Sequence, residues 1–98
     1  MTFNMNKNGT ELTVTVEGRL DTITTPKLED ALENKLEDIT LLVFDFAKLD
    51  YISSAGLRVL LTAMQAVEDN GKMVLRNVNE DVMNIFEVTG FVDDLNIE

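Results

Sequence analysis

Residues 49–61 read Leu49-Asp50-Tyr51-Ile52-Ser53-Ser54-Ala55-Gly56-Leu57-Arg58-Val59-Leu60-Leu61. Before them, Ile39 to Phe46 is nearly continuous apolar sequence, broken by Thr40 and Asp45. Such a run is expected of a strand covered on both faces and central to its sheet. After them, Leu57, Leu60, Leu61, Met64 and Val67 recur at helical spacing. A loop over Lys48–Ser53 and the two serines therefore mark a strand-to-helix handover. A serine there is a natural helix cap, with Ser54 as the cap and Ser53 one residue further into the loop. The same hydroxyl is an accessible acceptor for a phosphoryl group, because a helix N-terminus offers unpaired N–H groups and a positive dipole end.

Working outward, Thr2–Lys7 and Thr10–Glu17 alternate, with Phe3, Met5, Leu12, Val14 and Val16 on one side. Asn8-Gly9 between them predicts a two-residue hairpin turn with both central residues at positive φ. Gly18-Arg19-Leu20-Asp21 leaves the second strand. Thr25 is expected to cap a helix with Pro26 at its first position. Leu28, Ala31, Leu32 and Leu36 form its apolar stripe, while Glu29, Asp30, Glu33 and Glu37 read as a solvated acidic side rather than a binding face. Towards the C-terminus, Asn70-Gly71 predicts a left-handed stop for the serine-led helix, and Met73–Arg76 a short strand. Asn79 is expected to cap a third helix with Val82, Ile85, Phe86 and Thr89 inward, stopped by Gly90.

The resulting order is β-β-α-β-α-β-α: a single α/β domain over residues 1–98. It has a small mixed sheet, an opening antiparallel hairpin and then parallel strands joined by right-handed crossovers. The serine junction falls at the carboxyl end of the central strand, where open sheets of this class place functional crevices.

With 98 residues and 45% apolar content, the chain can build one core without metals or disulfides. It has no cysteine and no histidine. That removes thiol chemistry, Ser-His triads and the commonest metal ligand. An enzyme would have to run on carboxylates, Lys or Tyr51, so a non-enzymatic role is expected. Asp45 and Asp50 bracket the loop before the serines and read as loop-capping carboxylates rather than a metal site. The glycines form no phosphate-binding pattern. Neither a metal nor a cofactor is expected. The net charge of −10 disfavours nucleic acid and anionic membrane surfaces and suits a protein partner with a basic face. No apolar run is long enough to span a bilayer and Met1–Asn8 lacks signal-peptide character, so membrane insertion is not expected and the expected compartment is the cytoplasm. Arg58, just inside a helix N-terminus, opposes the dipole, which hints at a salt bridge or a partner.

Three features together resemble the STAS domain of bacterial anti-sigma factor antagonists. Gly18-Arg19-Leu20-Asp21 is similar to the family's Gly-x-Leu-Asp loop. The apolar strand Leu41–Phe46, with Asp45, leads into Leu49-Asp50-Tyr51-Ile52. Ser53-Ser54-Ala55-Gly56-Leu57 matches the family's phosphorylation loop. Their order and spacing cover nearly the whole chain. The resemblance implies a domain that binds an anti-sigma factor that is also a serine kinase, releasing a sigma factor. Phosphorylation at the start of the second helix ends the association, and a phosphoserine phosphatase restores it. Carried over by position, the phosphoacceptor is Ser54, with Ser53 as second candidate. Asp21 would lie in the neighbouring loop, and the partner-binding surface would comprise Asp21, Ser53, Ser54, Ala55, Gly56 and Arg58. The chain departs from the family pattern at Ser53, where an Asp is common, and at Ala55, where Ser or Thr is common. It also stops soon after the third helix, where many relatives continue. A constitutive scaffold, or a module associated with an ABC transporter, is the other role the family offers, with Ser54 then chiefly a cap. A monomer or weak dimer is expected.

Overall fold

The two alternating N-terminal stretches pair as antiparallel strands β1 (Thr2–Asn8) and β2 (Glu11–Leu20). The computed structural model describes residues 1–98, and the chain continues through α1 (Thr25–Leu32), β3 (Leu41–Ile52), α2 (Ser54–Val67), β4 (Lys72–Arg76) and α3 (Glu80–Thr89). A single 3-10 turn, Phe91–Asp93, follows. The sheet order is β1-β2-β3-β4, with β2, β3 and β4 parallel. Both the mixed sheet and the element order agree with the sequence pattern.

Alternate positions of the strands face a common core. Leu12, Val14 and Val16 of β2 lie beside Leu42, Phe44 and Phe46 of β3, and Met73 and Leu75 of β4 continue the layer. One cluster of 23 buried residues joins these positions to Leu28 and Leu32 of α1, Leu60, Ala63 and Val67 of α2, and Val82 and Phe86 of α3. Val43 and Val74, which pair across β3 and β4, are also buried but fall outside that cluster. They occupy the alternate sheet face.

Several local expectations are corrected. The hairpin turn is Gly9-Thr10, because Asn8 pairs with Glu11; only Gly9 takes positive φ (63°), as a type II′ turn requires. The cap residue of α1 is Thr24, and Thr25 already lies inside the helix. α1 stops at Leu32 rather than reaching Leu36, with Asn34 in the left-handed region (φ 63°). Gly71 does not carry a left-handed stop. Instead a Cβ there would overlap the Thr40 backbone, so the close approach of two chain segments is what demands glycine. Thr89 is exposed, its hydroxyl donating to the Ile85 carbonyl at 2.7 Å. Asn79 caps α3 as expected: its Oδ1 accepts from Val82 N–H at 2.8 Å, and its Nδ2 donates to the Leu49 carbonyl at 2.6 Å.

The largest correction concerns Lys48–Ile52, which is strand and not loop. β3 carries two irregularities against β2, between Thr15 and Glu17 and between Gly18 and Arg19, each giving β3 one extra residue. The positions of β3 in the main core accordingly run 42, 44, 46 and then 49, 52. Asp45 sits at the first bulge, where its Oδ1 accepts from Ala47 N–H at 3.1 Å and from Asn77 Nδ2 at 3.0 Å.

Candidate functional site

The bulges let β3 stay paired to the end of β2, so Leu20 lies opposite Ile52. One further hydrogen bond, Ser53 N–H to the Leu20 carbonyl at 2.8 Å, closes the pair before the chains diverge. Asp21 and Ser53 thus emerge side by side at the carboxyl end of the parallel strands. The turn into α1 begins at one and α2 begins at the other.

The two serines do different things. Ser53 is the N-cap of α2, in an extended conformation (φ −91°, ψ 175°). Its Oγ accepts from Gly56 N–H at 3.3 Å and its carbonyl accepts from Leu57 N–H at 2.9 Å. The capping role read onto Ser54 therefore belongs to Ser53. Ser54 is the first helical residue, is exposed, and its hydroxyl makes no hydrogen bond. No hydrogen-bonded base activates it as a nucleophile.

Ala55 is half-buried, whereas Gly56 is buried. A Cβ at Gly56 would lie 2.7 Å from Ile52 Cγ1 and 3.0 Å from Leu20 Cγ. Gly56 lets α2 settle on the strand ends, and the expectation that it lines the surface is corrected. Arg58 is exposed one turn beyond Ser54 and forms no ion pair.

Asp21 is braced into a tight turn. Its Oδ1 accepts from Ile23 N–H and Thr24 N–H, both at 3.0 Å. The Thr24 hydroxyl accepts from Asp21 N–H at 3.0 Å and donates to the Arg19 carbonyl at 2.8 Å. The Thr24 backbone N–H is the main reason the Asp21 carboxyl is held below its ordinary value of 3.8. Partial desolvation opposes it, while the Thr24 hydroxyl, the Ile23 N–H and the Arg19 charge reinforce it. The Arg19 guanidinium stacks 4.4 Å over the Tyr51 ring, with its Nε 3.9 Å from Asp21 Oδ2. This turn holds up Ile23, which is 83% exposed. Sequence reading passed over Ile23; its only signal is a lone apolar residue between Thr22 and Thr24, outside any stripe.

Two grooves lie elsewhere, between α1 and α2 and against β1, and no residue of the junction lines either. Asp21 and Ser53 follow directly on the paired ends of β2 and β3, and Ser54, Ala55 and Arg58 stand on the first turns of α2 beyond them. The chemistry on offer is an unengaged hydroxyl on a rigid support, next to a charged and stacked turn. No helix of the molecule is long and apolar enough to cross a membrane.

Known proteins resemble the chain in family, in sequence and in fold. The family model of the STAS domain matches residues 2–98. The chain is 35% identical over 94 residues to BtrV of Bordetella bronchiseptica, a protein named for a suggested anti-sigma factor antagonist role, covering 94% of this chain and 81% of that protein. It is 29% identical over 85 residues to the anti-sigma-B factor antagonist of Listeria monocytogenes, covering 85% and 75%. Among solved structures, SpoIIAA of Bacillus shares the fold in two states. Its unphosphorylated form superposes with a TM-score of 0.83 at 18% identity, covering 99% of this chain and 88% of that one. Its phosphorylated form gives 0.76 at 17% identity, covering 99% and 91%.

Proposed function

Because the chain belongs to the STAS domain family, we propose that it is an anti-sigma factor antagonist whose docking is ended by phosphorylation of Ser54. It binds an anti-sigma factor that is also a serine kinase, so that a sigma factor is released. A phosphoserine phosphatase returns the chain to its binding form.

One observation carries this reading: of two adjacent serines, Ser53 is committed to capping α2 and Ser54 is exposed and unengaged. A kinase reaching Ser54 breaks no hydrogen bond of the fold. The resulting phosphate carries nearly two negative charges. It sits at the first helical position, beside the N-terminal N–H groups and one turn before the unpaired Arg58. The chain itself accommodates it with the core in place. A docked partner does not, since a desolvated dianion in the interface must find cations or weaken the complex. The named relatives share an anti-sigma factor antagonist description, and one protein of this fold is known with a phosphoryl group. The net charge of −10 suits a partner with a basic face.

Incubation with the cognate anti-sigma kinase and ATP, followed by phosphosite mapping, tests the proposal. The expected result is a single phosphate on Ser54, absent from Ser54→Ala and retained in Ser53→Ala. Modification of Ser53, or none at all, would overturn it.

A further inference from the structure

We propose that the groove between α1 and α2 is a second docking surface, one that takes a cationic amphipathic helix of a partner protein. This goes beyond the Ser54 switch and does not rest on it.

The groove exists because α1 ends early. Apolar spacing would carry the helix to Leu36, but the chain leaves it at Glu33 (φ −58°, ψ 128°) and turns at Asn34. Leu36 still reaches the core. Between the shortened helix and α2 lies a groove of about 490 Å³. Its floor is apolar: Leu32, Leu36, Ala63 and the exposed Ala66.

Its rim carries four exposed carboxylates, Glu29, Asp30, Glu33 and Glu37, and no Lys or Arg lines it. None of the four joins an ion pair; the pairs of the molecule use Asp38, Asp21, Glu17 and Glu98. The placement is unfavourable for the isolated chain. Glu29 and Asp30 lie in the last turn of α1, which has no basic residue, and Glu33 is its C-cap. Negative charge there opposes the helix dipole, and Glu29 and Glu33 repel at i, i+4. A merely solvated face needs no apolar floor within its ring of charge. Cations brought to this rim would relieve the repulsion while apolar side chains fill the groove.

A helix suits the shape, because anchors at i, i+3 or i+4, and i+7 enter a seam between two helices. A second copy is a poor occupant, since two chains of charge −10 would oppose like charges. Ala66 lies near the far end of α2 from Ser54, roughly 18 Å away at 1.5 Å per residue. Docking in the groove therefore leaves the serine junction open. A partner held there stays bound through both states of the switch.

The test titrates a synthetic amphipathic helical peptide, leucines on one face flanked by lysines, into the isotopically labelled full chain, followed by NMR. Shift changes are expected at Leu32, Leu36, Ala63 and Ala66. Affinity should fall by about tenfold or more in the Glu29→Lys/Glu33→Lys double variant, and also as salt is raised to physiological strength. A control of equal charge change, Glu11→Lys/Asp94→Lys, and the Ser54→Asp variant should each bind as wild type does. Thermal melts verify that every variant is folded. The proposal is overturned if shifts spread over the whole acidic surface, or if the control loses as much affinity as the rim variant. It is equally overturned if Ser54→Asp abolishes binding, or if a peptide with the same leucines and glutamate flanks binds as well. Groove shifts that grow with protein concentration, without peptide, would assign the site to a second copy and also overturn it. None of these outcomes bears on Ser54 phosphorylation, which the kinase assay reads separately.

Discussion

The Thr25 hydroxyl is buried without a hydrogen-bond partner, while that of Thr24 is fully employed in the Asp21 turn. Thr25→Val keeps the shape and removes an unsatisfied polar atom, so stability should rise by about 1 kcal/mol in urea unfolding. Ser53→Ala deletes the α2 cap and should lower stability by about 1 kcal/mol, whereas Ser54→Ala should change it by less than about 0.5 kcal/mol. The Asp21 carboxyl titrates below 3.8 in the fold, so its contribution is fully present above that value and lost as pH falls through the lower folded one. Asp38, held down chiefly by its hydrogen bond from Lys7, acts in the same direction. Stability measured between about pH 2 and 5 should therefore drop less steeply in Asp21→Asn than in wild type. At this scale the sequence placed the Asn79 cap correctly and the caps of α1 and α2 one residue too late, at Thr25 and Ser54 instead of Thr24 and Ser53. Thr24-Thr25 and Ser53-Ser54 are chemically equivalent pairs, and only the backbone geometry decides which member faces the helix end.

β3 shows how an element hides from its own pattern. The continuous apolar run identifies the strand as far as Phe46, but two bulges stretch the core-facing spacing to three residues at Leu49 and Ile52. A period of three reads as helix or loop, so Lys48–Ile52 is not recognisable as strand before the pairing with β2 is known. The length of β3 matters for function, because it carries Ser53 up to the Asp21 turn. Glycine was misread for a similar reason. Asn70-Gly71 looks like a helix stop, yet what Gly71 supplies is room for the Thr40 backbone, a contact across 31 positions of sequence that no local pattern reports. Because rigid backbone stands in the way, Gly71→Ala should cost about 3 kcal/mol or more. Gly56→Ala meets side chains of Ile52 and Leu20, which can give way, and should cost about 1–3 kcal/mol. Thermal or urea unfolding of the two variants checks the ranking. Equal effects would mean that the Thr40 contact is not rigid.

The order of elements, the mixed sheet and the placement of the serines at a strand end were legible from alternation, caps and turns alone. The groove was not, because it depends on where α1 breaks and on two segments meeting in space. For the molecule as a whole, the charge of −10 sets a self-repulsion that salt screens. Its melting temperature should therefore rise as salt is raised from low to physiological concentration, and its association rate with a basic partner should fall. The central claim is that charge on one exposed hydroxyl changes what the scaffold binds while leaving the scaffold alone. Calorimetric titration of the cognate anti-sigma factor into wild type and Ser54→Asp, both with the same melting temperature, tests it most directly. The account predicts binding weakened by about tenfold or more in Ser54→Asp; equal affinity in the two proteins would contradict it.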